Sequence, residues 1–198
     1  ASENPENGEA AQETIQMVTE QNERLSKLVR TLLDMSELQT VARNDKIELC
    51  GLIEEVLADL EPLAQEKKVE LIRKSQEVRE KADEVLFLTG SDILIYRMLY
   101  NLVENAIKYN HENGWVHVSL NADHKYFYLK VEDSGLGIPQ EDQAHIFERF
   151  YRVDKSHSRE IGGTGLGLAI ARNAVIVHRG SIKVHSNEGE GTTFTVRI

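Results

Sequence analysis

The stretch Asn101–Asn110 reads NLVENAIKYN, and the rest of the chain is organised around it. It closes a longer run, roughly Asp92 to Asn110. There Leu94, Ile95, Met98, Leu99, Leu102, Val103, Ala106 and Ile107 recur at i, i+3, i+4 and i+7. That spacing predicts a helix that gives one face to a core. Asn101, Asn105 and Lys108 fall on a different stripe of the same helix. Amide oxygens are hard ligands that suit Mg²⁺, and a lysine ammonium suits phosphate charge. A solvated helix face could carry the same residues, so the stretch takes its meaning from what lies downstream.

With 198 residues, 40% of them hydrophobic, the chain can form one domain of ordinary size with a real core and an extra element. A net charge of −10 argues against a nucleic-acid partner. The single cysteine, Cys50, has no internal disulfide partner and suits a small buried hydrophobe. No apolar run approaches the roughly 20 residues of a membrane span, and no signal peptide is visible. The polar start, ASENPENGEA without a Met, reads as the edge of a fragment of something longer.

Residues 1–12 are expected to be a disordered polar start. Residues 13–40 read as a helix: Val18, Leu25, Leu28, Leu32 and Met35 keep an a/d heptad, widened by Val29 and Leu33. Such a face calls for a partner helix. Residues 41–46 read as a linker, and 47–198 as a second domain. Within it, Ile47–Leu49 reads as a short strand and Gly51–Lys67 as an amphipathic helix that Pro62 would kink or end early. Val69–Ile72 and Val85–Leu88 read as strands, and Ser91 as the cap of the long helix. Val116–Asn121 and Tyr126–Glu132 alternate apolar and polar residues, as half-buried paired strands do. Leu166–Val177 reads as helix, followed by a hairpin of Ser181–Ser186 and Thr192–Arg197. The order predicts an α+β fold, a two-layer sandwich with helices on one face of a mixed sheet.

The second half carries the chemistry. Asp133-Ser134-Gly135-Leu136-Gly137-Ile138-Pro139 follows a strand. A carboxylate there can accept from an exocyclic amine, and glycines let a planar ring approach the backbone; adenine fits both. An ordinary turn uses the same residue types. Gly162-Gly163-Thr164-Gly165-Leu166-Gly167-Leu168-Ala169-Ile170 is a glycine-rich loop entering a helix, a ready anion site. It lacks the Gly-Lys-Ser/Thr ending of a P-loop, and no strand directly precedes it as a Rossmann fingerprint requires. Ile146–Asp154, IFERFYRVD, supplies aromatics expected under that loop and two arginines, Arg149 and Arg152, able to reach phosphate. Residues 154–164 have the composition of a lid with glycine hinges. Gly189-Glu190-Gly191-Thr192 is a tight turn into the last strand.

In this order the pieces resemble the ATP-binding catalytic domain of sensor histidine kinases of two-component systems. NLVENAIKY resembles that family's asparagine box, DSGLGIP its first glycine box, IFERFYRVD its phenylalanine box, GGTGLGLAI its second glycine box and GEGTTF its last. LVRTLLDMSELQ resembles the second helix of the dimerisation and phosphotransfer domain. The resemblance spans about residues 13–198. It implies the Bergerat-type sandwich, with Mg-ATP held between a helical layer and a lid. By position it implies Asn105 as the principal Mg²⁺ ligand, assisted by Asn101. Lys108 and Tyr109 would line the phosphates and the base or ribose. Asp133 would bind the adenine amine beside Gly135 and Gly137. Gly163, Gly165 and Gly167 would shape the lid's end, Arg149 or Arg152 would reach the γ-phosphate, and Thr192 would sit near the adenine. It also implies a bacterial, membrane-anchored, homodimeric parent with this part in the cytoplasm, passing phosphate to a response regulator.

The family transfers the γ-phosphate to a histidine near the start of its first phosphotransfer helix. Here no histidine precedes His111. The expectation is therefore a chain that binds Mg-ATP but does not autophosphorylate alone. Two other readings stand beside it: a nucleotide-sensing or partner-binding module without catalysis, and a hydrolytic ATPase. Hydrolytic relatives of the fold carry a Glu one turn before the metal-binding Asn. Asn101 occupies that place and cannot take a proton. Glu104 projects about 100° away from Asn105 around the helix.

Overall fold

A computed structural model describes residues 42–74, 87–153 and 163–198, together with helical positions 14–19, 21, 22, 25, 26 and 29. The polar start, the heptad positions Leu28, Leu32, Leu33 and Met35, the charged stretch 75–84, Val85 and Leu86 of the expected third strand, and 154–162 of the stretch 154–164 expected to form a lid lie outside the described residues. The chain divides into two units, 1–40 and 41–198. In the first, the described heptad residues Val18, Leu25 and Val29 are exposed.

The second unit runs β1 (Asp45–Glu48), α1 (Leu49–Lys67), β2 (Glu70–Arg73), β3 (Phe87–Gly90), α2 (Asp92–Lys108), β4 (Trp115–Ala122), β5 (Phe127–Asp133), α3 (Gly167–Val177), β6 (Ser181–Asn187) and β7 (Gly191–Arg197). The main sheet has the order β2-β4-β5-β7-β6, and β1 pairs with β3 in a separate ribbon. β2 runs parallel to β4, and all other pairs are antiparallel. This is the expected α+β sandwich on a mixed sheet.

The core follows the helical period of α2. All eight apolar residues singled out there are buried, Leu94 and Leu102 completely. They meet Ile53, Val56 and Leu60 of α1, Ala171, Ala174 and Val175 of α3, and the inward residues Val116, Val118, Leu129, Val131, Phe194 and Val196 of the sheet make up the opposite layer. Each fully buried Leu or Ile contributes about 1.5–3 kcal/mol relative to exposure.

Three local expectations are corrected. α1 starts at Leu49, not Gly51, because the Glu48 carboxylate caps it, accepting from Cys50 N at 3.0 Å and Gly51 N at 2.6 Å. Pro62 neither ends nor shortens α1, which continues to Lys67. Pro62 and Ala58, whose carbonyl loses its partner, both lie on the exposed face, where water can take that role. Ser91 stands at the cap position of α2, but its buried hydroxyl makes no capping bond. Asp45 Oδ2 instead accepts from Asp92 N at 3.2 Å, and His178 Nε2 accepts from Ser91 N at 3.0 Å. The other nitrogen of that ring, Nδ1, donates to Ala174 O at 2.7 Å. The start of α2 is thereby tied to the end of α3.

Candidate functional site

Asp133 ends β5 and is 9% exposed. One oxygen, Oδ1, accepts from Gly135 N at 2.9 Å and from Thr192 N at 3.1 Å. The other, Oδ2, accepts no hydrogen bond from the described residues. Burial pushes the carboxyl up to about 6, against the pull of its two backbone donors. At neutral pH it is a charged acceptor with one oxygen fixed by the backbone and one left for a donor.

The loop after Asp133 is drawn tight on both sides. Leu136 N donates to Tyr109 O at 2.9 Å, and Gly189 N donates to Leu136 O at 2.7 Å. At Gly135 a side chain would meet Tyr109 O at 2.3 Å, so only glycine lets the end of α2 lie on this loop. Gly137 has φ +71°, and a Cβ there would stand 2.0 Å from Asn187 O. Gly137→Ala is expected to cost about 3 kcal/mol, adding overpacking to left-handed strain. Its denaturant midpoint measures that, and an unshifted midpoint would mean the loop has another way to seat.

The opposite end of the site is where α2 meets the start of α3. Gly167 begins α3 directly against Asn101, whose Oδ1 would be 2.7 Å from a Cβ at Gly167. The first turn of α3 has no side-chain cap. Its free N–H groups form an electropositive end beside Asn101. Asn101 Nδ2 donates back to Arg97 O at 2.7 Å. Asn105, half-buried one turn on, makes no side-chain hydrogen bond to the described residues. Lys108 is not a free ammonium: it pairs with Glu104 at 2.7 Å. Tyr109 is 37% exposed, and its hydroxyl lies 3.9 Å from where a Gly163 Cβ would be.

The two arginines separate. Arg152 Nη1 donates to Gly163 O at 2.9 Å and so fastens the loop's far end, while Arg149 is exposed. The expectation that the aromatics of 146–154 pack beneath the glycine loop holds in part. Phe150 N donates to Gly165 O at 2.8 Å, but the Phe150 side chain is exposed. Phe147 instead sets its edge against Phe194 of β7 at 6.2 Å.

Among the described residues no cluster of three His, Cys, Asp or Glu could hold a metal. The donors that fit a hard cation are the Asn105 and Asn101 amide oxygens. Mg²⁺ demands about six oxygens, so a polyphosphate and water must supply the rest. Two amide oxygens alone thus fit a metal only when a second ligand completes its shell.

Sequence reasoning missed three positioning groups. Asn110 bridges Ala106 O at 3.1 Å and Trp115 O at 3.0 Å and accepts from Ser134 Oγ at 3.1 Å, locking the end of α2 to the start of β4. Gln143 Nε2 donates to Ile138 O at 2.9 Å and to Ser186 O at 2.8 Å. Ser186, buried on β6, bonds to both segments that feed Asp133. The available signal was Ser186 itself, a polar residue where Ile182 and Val184 set an inward alternation.

Residues 90–198, more than half of the chain, match the family described as histidine kinase-, DNA gyrase B-, and HSP90-like ATPase. The sensor histidine kinase WalK of Bacillus subtilis is 36% identical over 197 residues, which cover 98% of this chain and 31% of WalK. The chain spans less than half the length of the curated relatives it matches. The catalytic domain of histidine kinase ThkA superposes with a TM-score of 0.65 at 28% identity, covering 79% of this chain and 95% of that one. Full-length ShkA in complex with AMPPNP superposes with a TM-score of 0.72 at 25% identity, covering 94% and 38%. The glycine-framed aspartate, the asparagine-bearing helix and the loop that enters α3 all lie within the matched segment, and the chain belongs to the histidine kinase-, DNA gyrase B-, and HSP90-like ATPase family.

Proposed function

We propose that this chain binds Mg-ATP and donates its γ-phosphoryl group to a histidine of a phosphotransfer domain, for relay to an aspartate of a response regulator. The observation that carries the reading is Asp133: buried, charged at neutral pH, with Oδ1 held by two backbone N–H groups and Oδ2 open. An adenine amine is the donor that completes it. Asn105, with Asn101, holds the metal, and the uncapped start of α3 takes phosphate oxygens. When bound, Mg²⁺ neutralises charge on the transferring phosphoryl group. The P–O bond to ADP breaks as an N–P bond forms at the acceptor imidazole, which gives up its proton. Water activation is disfavoured, since Asn101 cannot take a proton and Glu104 is engaged by Lys108.

The parent protein is read as a homodimer, bacterial and membrane-anchored, with this part in the cytoplasm. That reading rests on the family resemblance; among the described residues no helix is long and apolar enough to cross a membrane.

The test is calorimetric titration with a non-hydrolysable ATP analogue, followed by ATP with a phosphotransfer domain supplied in trans. One saturable site and phosphate on the acceptor histidine are expected. Tight binding with no transfer would favour a nucleotide sensor. The pH dependence adds a signature. Asp133 accepts the amine only when ionised, so affinity is constant well above pH 6 and falls as the pH drops through about 6. Nucleotide favours the ionised form, so binding near pH 6 releases protons, measurable as a buffer-dependent heat. Affinity unchanged down to pH 5 would remove Asp133 from the site.

A further inference from the structure

Ser186 is 7% exposed, and its hydroxyl is saturated. It has one proton and two lone pairs. Gly191 O, at 2.9 Å, can only accept, so it takes the proton. Ile138 N, at 2.8 Å, can only donate, so it fills one lone pair. Thr192 Oγ1 lies at 2.8 Å, and with Ser186's proton committed it is the donor into the remaining lone pair. Thr192's own proton is thereby fixed on Ser186. Its N–H is fixed on Asp133 Oδ1 at 3.1 Å. Neither polar hydrogen of Thr192 is free.

We propose that Ser186 is a specificity-determining positioning residue: by holding the Thr192 proton, it keeps Thr192 Oγ1 an acceptor beside Asp133. This rests on the reading of Asp133 as the acceptor for the adenine amine. Asp133 Oδ2 and Thr192 Oγ1 then both present lone pairs. A purine with a 6-amino group brings the donor they require at position 6; a 6-oxo purine sets an acceptor there and carries its proton at N1 instead, so the groups facing position 6 disfavour it. Ser186 also touches both arms that orient Asp133, the Gly191–Thr192 peptide and the loop ending at Ile138. Gln143 clamps the same two strands of chain from outside, through Ile138 O and Ser186 O. Without Ser186 the Thr192 hydroxyl is free to turn and donate, which a 6-oxo group would accept.

The experiment compares dissociation constants for ATP and inosine triphosphate, with Mg²⁺, on the full chain and on Ser186→Ala, Thr192→Val and Asp133→Asn. The wild type is expected to prefer ATP. In Ser186→Ala the preference falls roughly tenfold, the discrimination carried by about one hydrogen bond. A purely structural role would weaken both nucleotides equally and leave the ratio unchanged. If Ser186→Ala does not fold, Thr192→Val removes the same directed hydroxyl and is expected to lower the ratio similarly. Wild-type ratios in the folded variants among these two, with an altered ratio in Asp133→Asn, would overturn the assignment to Ser186 alone. A wild-type ratio in Asp133→Asn would overturn the reading of Asp133 and this inference with it.

Discussion

Asp133→Asn is expected to weaken ATP about 100-fold or more while making the empty protein more stable at pH 7. The two effects have one cause. An asparagine keeps an oxygen for the Gly135 and Thr192 N–H groups that now bond Oδ1. It then turns an NH₂ group toward the place where Oδ2 stood. A donor facing the adenine amine loses a charge-assisted bond and leaves two donors opposed, about 3 kcal/mol or more in binding. Folding moves the other way. The native carboxyl titrates at about 6 against an ordinary 3.8, so the native state holds its proton more tightly than the unfolded chain. Wild-type stability therefore loses about 3 kcal/mol from this group as pH rises from about 4 to 6. The neutral amide escapes most of that loss. The stability difference between variant and wild type should be near zero below pH 4 and complete above pH 6. Denaturant titrations across that range, with nucleotide titrations at pH 7, separate the two effects. Equal losses of stability and affinity would make Asp133 a structural residue.

A pocket that destabilises its own empty state gains from its ligand. Asp133 lies at the end of a strand paired on both sides, to Val116 through β4 and, at its neighbour Glu132, to Thr193 through β7. The sheet therefore holds the buried charge in place whether or not a donor is present. Gly135 and Gly137 then bring the following loop close enough for backbone donors to reach one oxygen only. On the proposed reading of Asp133, selectivity for a base with an amine would follow from that asymmetry.

How much of this was legible in the sequence varies with the range of the cause. The period of α2 and the alternation of β4 and β5 are local, and all three elements appear within two residues of the expected bounds. The start of α1 was missed because Glu48, an unusual capping residue, supplies the cap. Ser91 holds the cap position of α2 as expected, but the acceptors that serve the N–H groups there, Asp45 and His178, lie 47 and 87 residues away from them. Lys108 was read toward phosphate, although Glu104 one turn earlier was visible as a partner. Ser186 shows the sharper limit. Its role depends on the β6–β7 register that places it opposite Thr192, and register is a tertiary fact. The glycine boxes were legible as chemistry, but which atom each glycine makes room for appears only once Tyr109 and Asn187 are in place.

Replacing Asn105 by alanine is expected to abolish the dependence of nucleotide binding on Mg²⁺ and to lower phosphoryl transfer to a supplied acceptor by about 10³-fold, as loss of a group that holds transition-state charge does. The two asparagines of α2 are not equivalent. Asn101 is tied to Arg97 O through its nitrogen and lies under Gly167, so part of its role is packing. Asn105 has no such tie among the described residues, and its removal leaves no buried partner behind. Asn105→Ala should therefore change the thermal midpoint little, since helix propensity favours alanine by about 0.5 kcal/mol. No acidic cluster among the described residues offers the metal another seat, so no compensating site is expected. The prediction has three separable readouts. Mg²⁺ alone should not bind the wild type measurably, because two amide oxygens are too few for a hexacoordinate ion. Mg²⁺ should tighten ATP in the wild type. In Asn105→Ala, ATP with and without Mg²⁺ should bind alike. A variant that still responds to Mg²⁺ as the wild type does would move the metal off α2 and leave the asparagine stripe as a phosphate contact only.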